Sequence, residues 1–142
     1  MGRSRCLWPP SPKNLGLKRA VVVHGSDGLD EITTTGKTFI SEYNGQEVFS
    51  YDITPDELWF KPAKPHDLEG GNLETNVEIC NDILNGKKGP KLDIVLLNAA
   101  YALYVAEAVP SISKGLDLAK ESVDAGKARE KLEQLKTFTQ RF

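Results

Sequence analysis

Cysteine is scarce: only Cys6 and Cys80 occur in 142 residues, so no disulfide framework can staple this chain. Neither sign of charge dominates, with 18 Lys plus Arg against 20 Asp plus Glu and a formal net charge of −2. Without a basic excess, neither a nucleic-acid surface nor an anionic-membrane surface is expected. Long apolar runs are missing too. The best of them, residues 94–109, is interrupted by Asn98 and Glu107 and stops at Pro110, too short and too polar to span a bilayer. Nothing resembles a secretory signal, and no internal repeat is visible. P-loop, GxGxxG, CxxC and HExxH patterns are all lacking, and a Ser/His/Asp triad has no support. What is present is 39% hydrophobic and 27% charged residues, ordinary globular usage in a length suited to one domain with a real core. These features point to a soluble, cytoplasmic protein.

Residues 1–12, MGRSRCLWPPSP, stand apart: their prolines remove backbone donors, their charges are all arginine, and they show no period of a strand or a helix. They are expected to be a disordered or artefactual segment, with a short targeting peptide as the alternative. Gly2 is not followed by the Ser or Thr that N-myristoylation wants at position 6, where Cys6 stands. The folded part is expected over residues 13–142. Residues 19–23 form a β-branched run without polar alternation, as for a strand buried on both faces. Residues 32–35 suggest a second short strand ended by Gly36. Asn44-Gly45 is a strong hairpin signal, and a two-residue turn there would set Ile40 opposite Phe49 and Thr38 opposite Tyr51. Residues 61–71, with Pro62, Pro65 and Gly70-Gly71, read as a loop.

Beyond the loop the period becomes helical. Leu73, Val77, Cys80 and Leu84 share one face, which makes Cys80 an inert core thiol. A second helix begins near Pro90 and is apolar nearly all round, hence the buried one. A third starts at a Ser111 or Ser113 cap with Leu116, Ala119 and Val123 inward, and a fourth carries Ala128, Leu132, Leu135 and Phe138. The expected fold is α/β, or an α+β-like piece of it: an incomplete central mixed sheet with a β-hairpin, followed by about four helices. A strand buried on both faces needs neighbours on both sides, and few candidates exist.

The constellation that can carry chemistry is His24-Gly-Ser-Asp-Gly-Leu-Asp-Glu31, which follows the carboxyl end of the buried strand, where open α/β sheets bind ligands. In a loop, the adjacent carboxylates of Asp30 and Glu31 can reach one cation, and one or two carboxylates plus substrate phosphates is the usual way to hold Mg²⁺. On spacing alone, an Asp/Gly-rich turn with no ligand is the commoner outcome. His24 reads as a histidine hydrogen-bonded at a strand end, with general base or phosphate contact as the sharper alternative. His66 has no evident partner. Gly70-Gly71-Asn72 either offers backbone N–H groups to an anion or ends in an Asn cap. Trp59-Phe60 is too little for a stacking platform.

Residues 13–31, Lys-Asn-Leu-Gly-Leu-Lys-Arg-Ala-Val-Val-Val-His-Gly-Ser-Asp-Gly-Leu-Asp-Glu, closely resemble a segment of the anthranilate phosphoribosyltransferase family. The likeness continues through Leu68-Glu-Gly-Gly-Asn-Leu-Glu-Thr-Asn76, Asn85-Gly-Lys-Lys-Gly-Pro90, Val95-Leu-Leu-Asn-Ala-Ala100, Ser122-Val-Asp-Ala-Gly-Lys-Ala128 and Lys131-Leu-Glu-Gln-Leu135. Several motifs in order make it more specific than a lone glycine pattern. The resemblance implies the C-terminal part of the nucleoside phosphorylase/phosphoribosyltransferase catalytic domain. It also implies transfer of phosphoribose from phosphoribosyl pyrophosphate to anthranilate in tryptophan biosynthesis. By motif, Asp30 and Glu31 would bind Mg²⁺; no residue is assigned to catalysis.

Family features without a counterpart here are the helical domain, the Gly-Thr-Gly-Gly-Asp pyrophosphate loop, the Lys-His-Gly-Asn-Arg segment and the anthranilate-contacting arginine. The isolated chain is therefore expected to be inactive, the alternative being a non-catalytic fragment or binding module that complements a separately encoded N-terminal half. Family dimer contacts lie mainly in the helical domain, so the homodimer is not carried over. Asn72 stands where relatives usually have Asp, and Trp59 replaces a common glycine.

Overall fold

A computed structural model describes residues 16–141. The expected boundary after residue 12, and Cys6, lie outside the described residues. Three strands, β1 (Ala20–Gly25), β2 (Thr38–Tyr43) and β3 (Val48–Ile53), form a 3-stranded sheet in the order β1-β2-β3. Both pairings are antiparallel, so the described sheet is not mixed. The strand that reads as buried on both faces is β1, yet its residues 20–23 are only half-buried and, among the described residues, it pairs on one side.

The hairpin exists, but its register differs from expectation. Tyr43 pairs with Val48, placing Ile40 opposite Tyr51, Thr38 opposite Ile53 and Phe49 opposite Glu42. The Asn44 side-chain oxygen accepts the N–H groups of Gln46 (2.9 Å) and Glu47 (3.0 Å), and the Asn44 N–H donates to the Glu47 carbonyl. Those bonds lengthen the connection to residues 44–47. Because side chains alternate, a slip that preserves parity changes partners and leaves faces intact. The apolar face thus survives: Ile40 and, from α3 (Pro90–Val105), Leu97 and Tyr101 form a core with Ile32, flanked by Val21, Val23, Tyr51 and Ile53.

Residues 32–35 are not a strand. Thr33 N–H donates to the Thr38 hydroxyl (3.0 Å) and the Thr34 carbonyl accepts from Ala63 (2.8 Å). Side-chain and loop partners take the places of a ladder. Within the expected loop 61–71, a short helix α1 (Pro65–Leu68) forms.

The remaining helices are α2 (Leu73–Leu84), α4 (Ile112–Asp124) and α5 (Lys127–Thr139). Ser111 caps α4, accepting from Lys114 N–H. Helix α3 reads as apolar all round because it serves two cores: Leu97 and Tyr101 meet the sheet, while Leu92 and Leu96 pack with Ala119 of α4. At their crossing, a Cβ on Gly115 would lie 2.6 Å from the Ala100 carbonyl oxygen and 2.9 Å from its Cα, so only glycine fits this approach.

Helix α2 turns the other way from the expected one. Leu73 is 74% and Val77 51% exposed, and Cys80 is exposed rather than a core thiol. Ile79 and Ile83 are half-buried instead, and of the expected face only Leu84 is half-buried. The apolar positions of α2 fit either face at helical period, and only packing against α3 selects between them. On α5 the apolar stripe likewise runs past its support: Leu132 is half-buried, but Leu135 and Phe138 are exposed.

Trp59 adopts φ 63° and ψ 19°, closing the 3-10 turn Pro55–Leu58. That left-handed conformation costs a side-chain-bearing residue about 1–2 kcal/mol, and the indole, 73% exposed, recovers little by packing. Trp59→Gly is therefore expected to stabilise the fold by about 0.5–1 kcal/mol after glycine's greater entropy loss. Thermal denaturation would register it as a rise of about 2–4 °C; a lower melting temperature would mean that the indole packs more productively than its exposure indicates.

Candidate functional site

The loop after β1 is tied at both ends. At its start, Gly25 N–H donates to the Leu29 carbonyl (2.8 Å), Gly28 N–H to the Gly25 carbonyl (3.0 Å) and Ser26 N–H to the Lys37 carbonyl (2.8 Å). Gly28 sits at φ +95°, which only a glycine adopts readily. Asp27 organises the turn: its Oδ1 accepts Leu29 N–H (3.1 Å), and its Oδ2 accepts both the Thr33 and Thr35 hydroxyls. Burial alone would raise the Asp27 pKa, but the hydrogen bonds from Thr33, Thr35 and Leu29 outweigh it and hold the carboxyl below its ordinary value. Asp27 is therefore an anionic latch within the loop. Its side-chain oxygens are committed to these internal donors.

At the far end, Ile32 is 2% exposed in the core. Its N–H donates to Asn98 Oδ1 (3.0 Å), and its carbonyl accepts from Asn98 Nδ2 (2.9 Å). Between the two anchors stand Asp30 and Glu31, both exposed. Glu31 borders an open cleft of about 350 Å³ whose walls include Leu29, Gly70, Asn76, Lys91 and Ile94. Lys91 donates from its ammonium to the Glu69 carbonyl, tying the glycine-rich loop to α3.

Glu31 at the cleft, with Asp30 exposed beside it in the chain, offers carboxylate oxygens of the kind that hold a divalent cation together with water and phosphate oxygens. Among the described residues, no group of 3 or more His, Cys, Asp or Glu is arranged to hold a metal, so a cage built wholly of protein ligands is not the geometry in view.

Asn72 and Gly71 make ordinary local contacts. Asn72 caps α2 by accepting Thr75 N–H (2.9 Å). Gly71 N–H donates to Asn76 Oδ1 (2.9 Å) and the Gly71 carbonyl accepts from Asn76 Nδ2 (3.0 Å), so this amide is engaged rather than presented to an anion. His24 is an exposed residue of β1 paired with Phe39. His66 does have a neighbour, Asp67, at 3.3 Å. Three residues that the sequence reading did not single out shape the site: Thr33 and Thr35, whose alternation puts two hydroxyls on one carboxylate, and Asn98. Its sequence signals were being polar inside an apolar helix and falling in the Val95–Ala100 motif.

The description "glycosyl transferase family, a/b domain" matches residues 11–129. The chain belongs to this glycosyl transferase family. Among its relatives, the anthranilate phosphoribosyltransferase of Acetivibrio thermocellus is 51% identical over 129 residues, covering 91% of this chain and 37% of the relative. That of Methanosarcina barkeri is 45% identical over 128 residues, covering 90% and 35%. The crystal structure of the Thermus thermophilus anthranilate phosphoribosyltransferase superposes with a TM-score of 0.72 at 37% identity, covering 82% of this chain and 34% of that one. The Saccharomyces cerevisiae enzyme in complex with phosphoribosyl pyrophosphate and Mg shares the fold, with a TM-score of 0.71 at 24% identity, covering 80% and 33%. This member of the glycosyl transferase family thus spans little more than a third of the length of the relatives it matches. No helix among its described residues is long and apolar enough to cross a membrane.

Proposed function

We propose that this chain carries the magnesium–diphosphate side of an anthranilate phosphoribosyltransferase site. The observation that carries the reading is the exposed Asp30-Glu31 pair in the loop after β1, with Glu31 bordering an open cleft, in a chain so similar to enzymes of that name. In the reaction, the amine of anthranilate bonds to ribose C1, the bond from C1 to pyrophosphate oxygen breaks, and the nitrogen gives up a proton. Bound Mg²⁺ would neutralise charge growing on the departing pyrophosphate, an interaction worth most in the transition state. Asp30 and Glu31 supply the carboxylates for that ion. Asp27, with Thr33 and Thr35, keeps the loop from collapsing into the cleft. The reading places the protein in the cytoplasm and in tryptophan biosynthesis.

The isolated chain is inactive in this reading, because the remaining donors that orient phosphoribosyl pyrophosphate belong to family segments without a counterpart here. The second reading, a binding module that complements a separately encoded N-terminal half, is favoured by one observation. Strand β1 leaves an edge unpaired among the described residues, and such an edge accepts another strand.

Complementation tests both readings: the chain alone, and the chain joined to the N-terminal portion of a relative, in cells lacking the enzyme. Rescue by the joined form alone supports an incomplete catalytic domain. Rescue by the chain alone means that a partner supplies the rest. In the joined form, Asp30→Ala or Glu31→Ala is expected to lower kcat/KM by about 10²–10³ and to abolish Mg²⁺-dependent diphosphate binding. Diphosphate binding that survives both substitutions would overturn the site assignment.

A further inference from the structure

Resting on the reading of Asp30 and Glu31 as cation ligands, we propose that Asn98 is the positioning residue of that pair. Asn98 stands on α3, the helix that packs against the sheet, so its side chain is referenced to the rigid part of the fold. Its amide grips both backbone groups of Ile32, at 3.0 Å to the N–H and 2.9 Å to the carbonyl. A further bond from Nδ2 to the Ile94 carbonyl (2.9 Å) in its own helix fixes which way the amide faces. All three interactions use the amide as a planar two-sided group, with oxygen accepting and nitrogen donating twice. Neither a carboxylate nor a hydroxyl reproduces this pattern.

Ile32 directly follows Glu31, and its side chain is locked in the core. The amide grip sets the peptide plane from which Glu31 departs, and Leu29, bonded to Gly25 and to Asp27, sets the other side. The two carboxylates therefore sit on a span too short to reorient without breaking one anchor. Without Asn98, the buried Ile32 N–H and carbonyl would need other partners, and the loop would drift toward them. The carboxylates would remain, but no longer aimed at one ion. Groups standing behind metal ligands typically change metal affinity by about 10–100-fold when removed.

The test uses the full chain with Mn²⁺ alone, whose paramagnetism broadens NMR signals of residues near it. In the wild-type chain, trace Mn²⁺ is expected to broaden the Asp30 and Glu31 amides first. Asn98→Ala is expected to weaken Mn²⁺ binding at these amides by about 10-fold or more, while the Ile40 amide in β2 keeps its slow hydrogen exchange. Gly115→Ala, destabilised where α4 meets the Ala100 backbone of the same helix α3 but retaining the Asn98 amide and its bonds to Ile32, serves as the control for lost stability and is expected to bind Mn²⁺ like wild type. Equal loss in both variants would mean that stability, not positioning, governs the site, and would overturn the proposal. Wild-type affinity in Asn98→Ala would overturn it as well.

Should Asn98→Ala not fold, Asn98→Gln keeps both hydrogen-bonding groups one methylene further out and is expected to weaken Mn²⁺ binding in the same direction. A second measurement needs no variant: in the metal-free wild type the Ile32 amide must exchange far more slowly than those of Asp30 and Glu31. Fast exchange at Ile32 would sink the proposal. Absence of broadening at Asp30 and Glu31 in the wild type would remove the cation reading itself, and the role of Asn98 with it.

Discussion

Glu42→Ala is expected to remove about 3–5 kcal/mol of folding stability, the range measured when one partner of a buried ion pair is deleted. Glu42 is 2% exposed. Its Oε1 accepts from Arg19 Nη2 (2.8 Å) and the Tyr104 hydroxyl (3.1 Å), and its Oε2 accepts from the Tyr51 hydroxyl (3.0 Å). The Arg19 guanidinium also lies over the Tyr104 ring, 3.8 Å from its centre, a favourable cation–π placement. One carboxylate thus joins the residue before β1, strands β2 and β3, and helix α3. Burial raises the pKa of Tyr51 and of Tyr104, with Glu42 adding to both, so the phenols remain donors throughout the physiological range. Removing the carboxylate leaves two phenols and a half-buried guanidinium short of an acceptor, which costs more than the bonds themselves contributed.

Urea denaturation would show the Glu42→Ala effect as a fall in midpoint of about 1.5–2.5 M if the slope is near 2 kcal/mol per molar. Tyr104→Phe, which removes one donor and keeps the ring, is expected to cost about 1 kcal/mol. A Glu42→Ala loss as small as that would mean water replaces the carboxylate freely, and the network would then be ornament to the fold.

The second large effect reverses an ordinary rule. Gly→Ala inside a helix usually stabilises, by about 0.8–1 kcal/mol. Gly115→Ala is expected instead to destabilise by up to about 2 kcal/mol net, since overpacking a tight contact typically costs about 1–3 kcal/mol. The added methyl would meet the backbone of Ala100, with its carbonyl oxygen at 2.6 Å and its Cα at 2.9 Å. A backbone cannot rotate away as a side chain does, so α4 must lift from α3 and loosen Leu92, Leu96 and Ala119. For the same reason Ala100→Gly is not expected to rescue it: the clash is with main-chain atoms. Thermal denaturation followed by circular dichroism checks this. A higher melting temperature for Gly115→Ala would mean that the helices separate at little cost.

Much of the fold was legible because local chemistry agreed with tertiary need. Asn44-Gly45 announced the hairpin, Ser111 the start of α4, and the apolar length from Pro90 a helix with two buried sides. The loop 24–31 stood out since glycines and acids at a strand end have few purely local explanations. The family likeness rested on the same loop and on motifs spread along the chain.

Other features depended on partners far away in sequence. The hairpin register moved because the Asn44 side chain, not the dipeptide, organised the turn. Residues 32–35 have strand-like composition, yet hydroxyls and Ala63 took their backbone groups. Helix α2 had apolar residues on either side, and contact with α3 alone decided that Ile79 and Ile83 turn inward while Cys80 faces out. By itself, the sequence determined the hairpin, the four longer helices, the loop bearing Asp30 and Glu31, and the family, because propensity, turn chemistry and motif spacing are local properties. Tertiary structure alone decided the strand partners, the face of α2, the convergence on Glu42 and the grip of Asn98 on Ile32. Each of these is a hydrogen bond or contact between distant segments, and no local pattern encodes its partner.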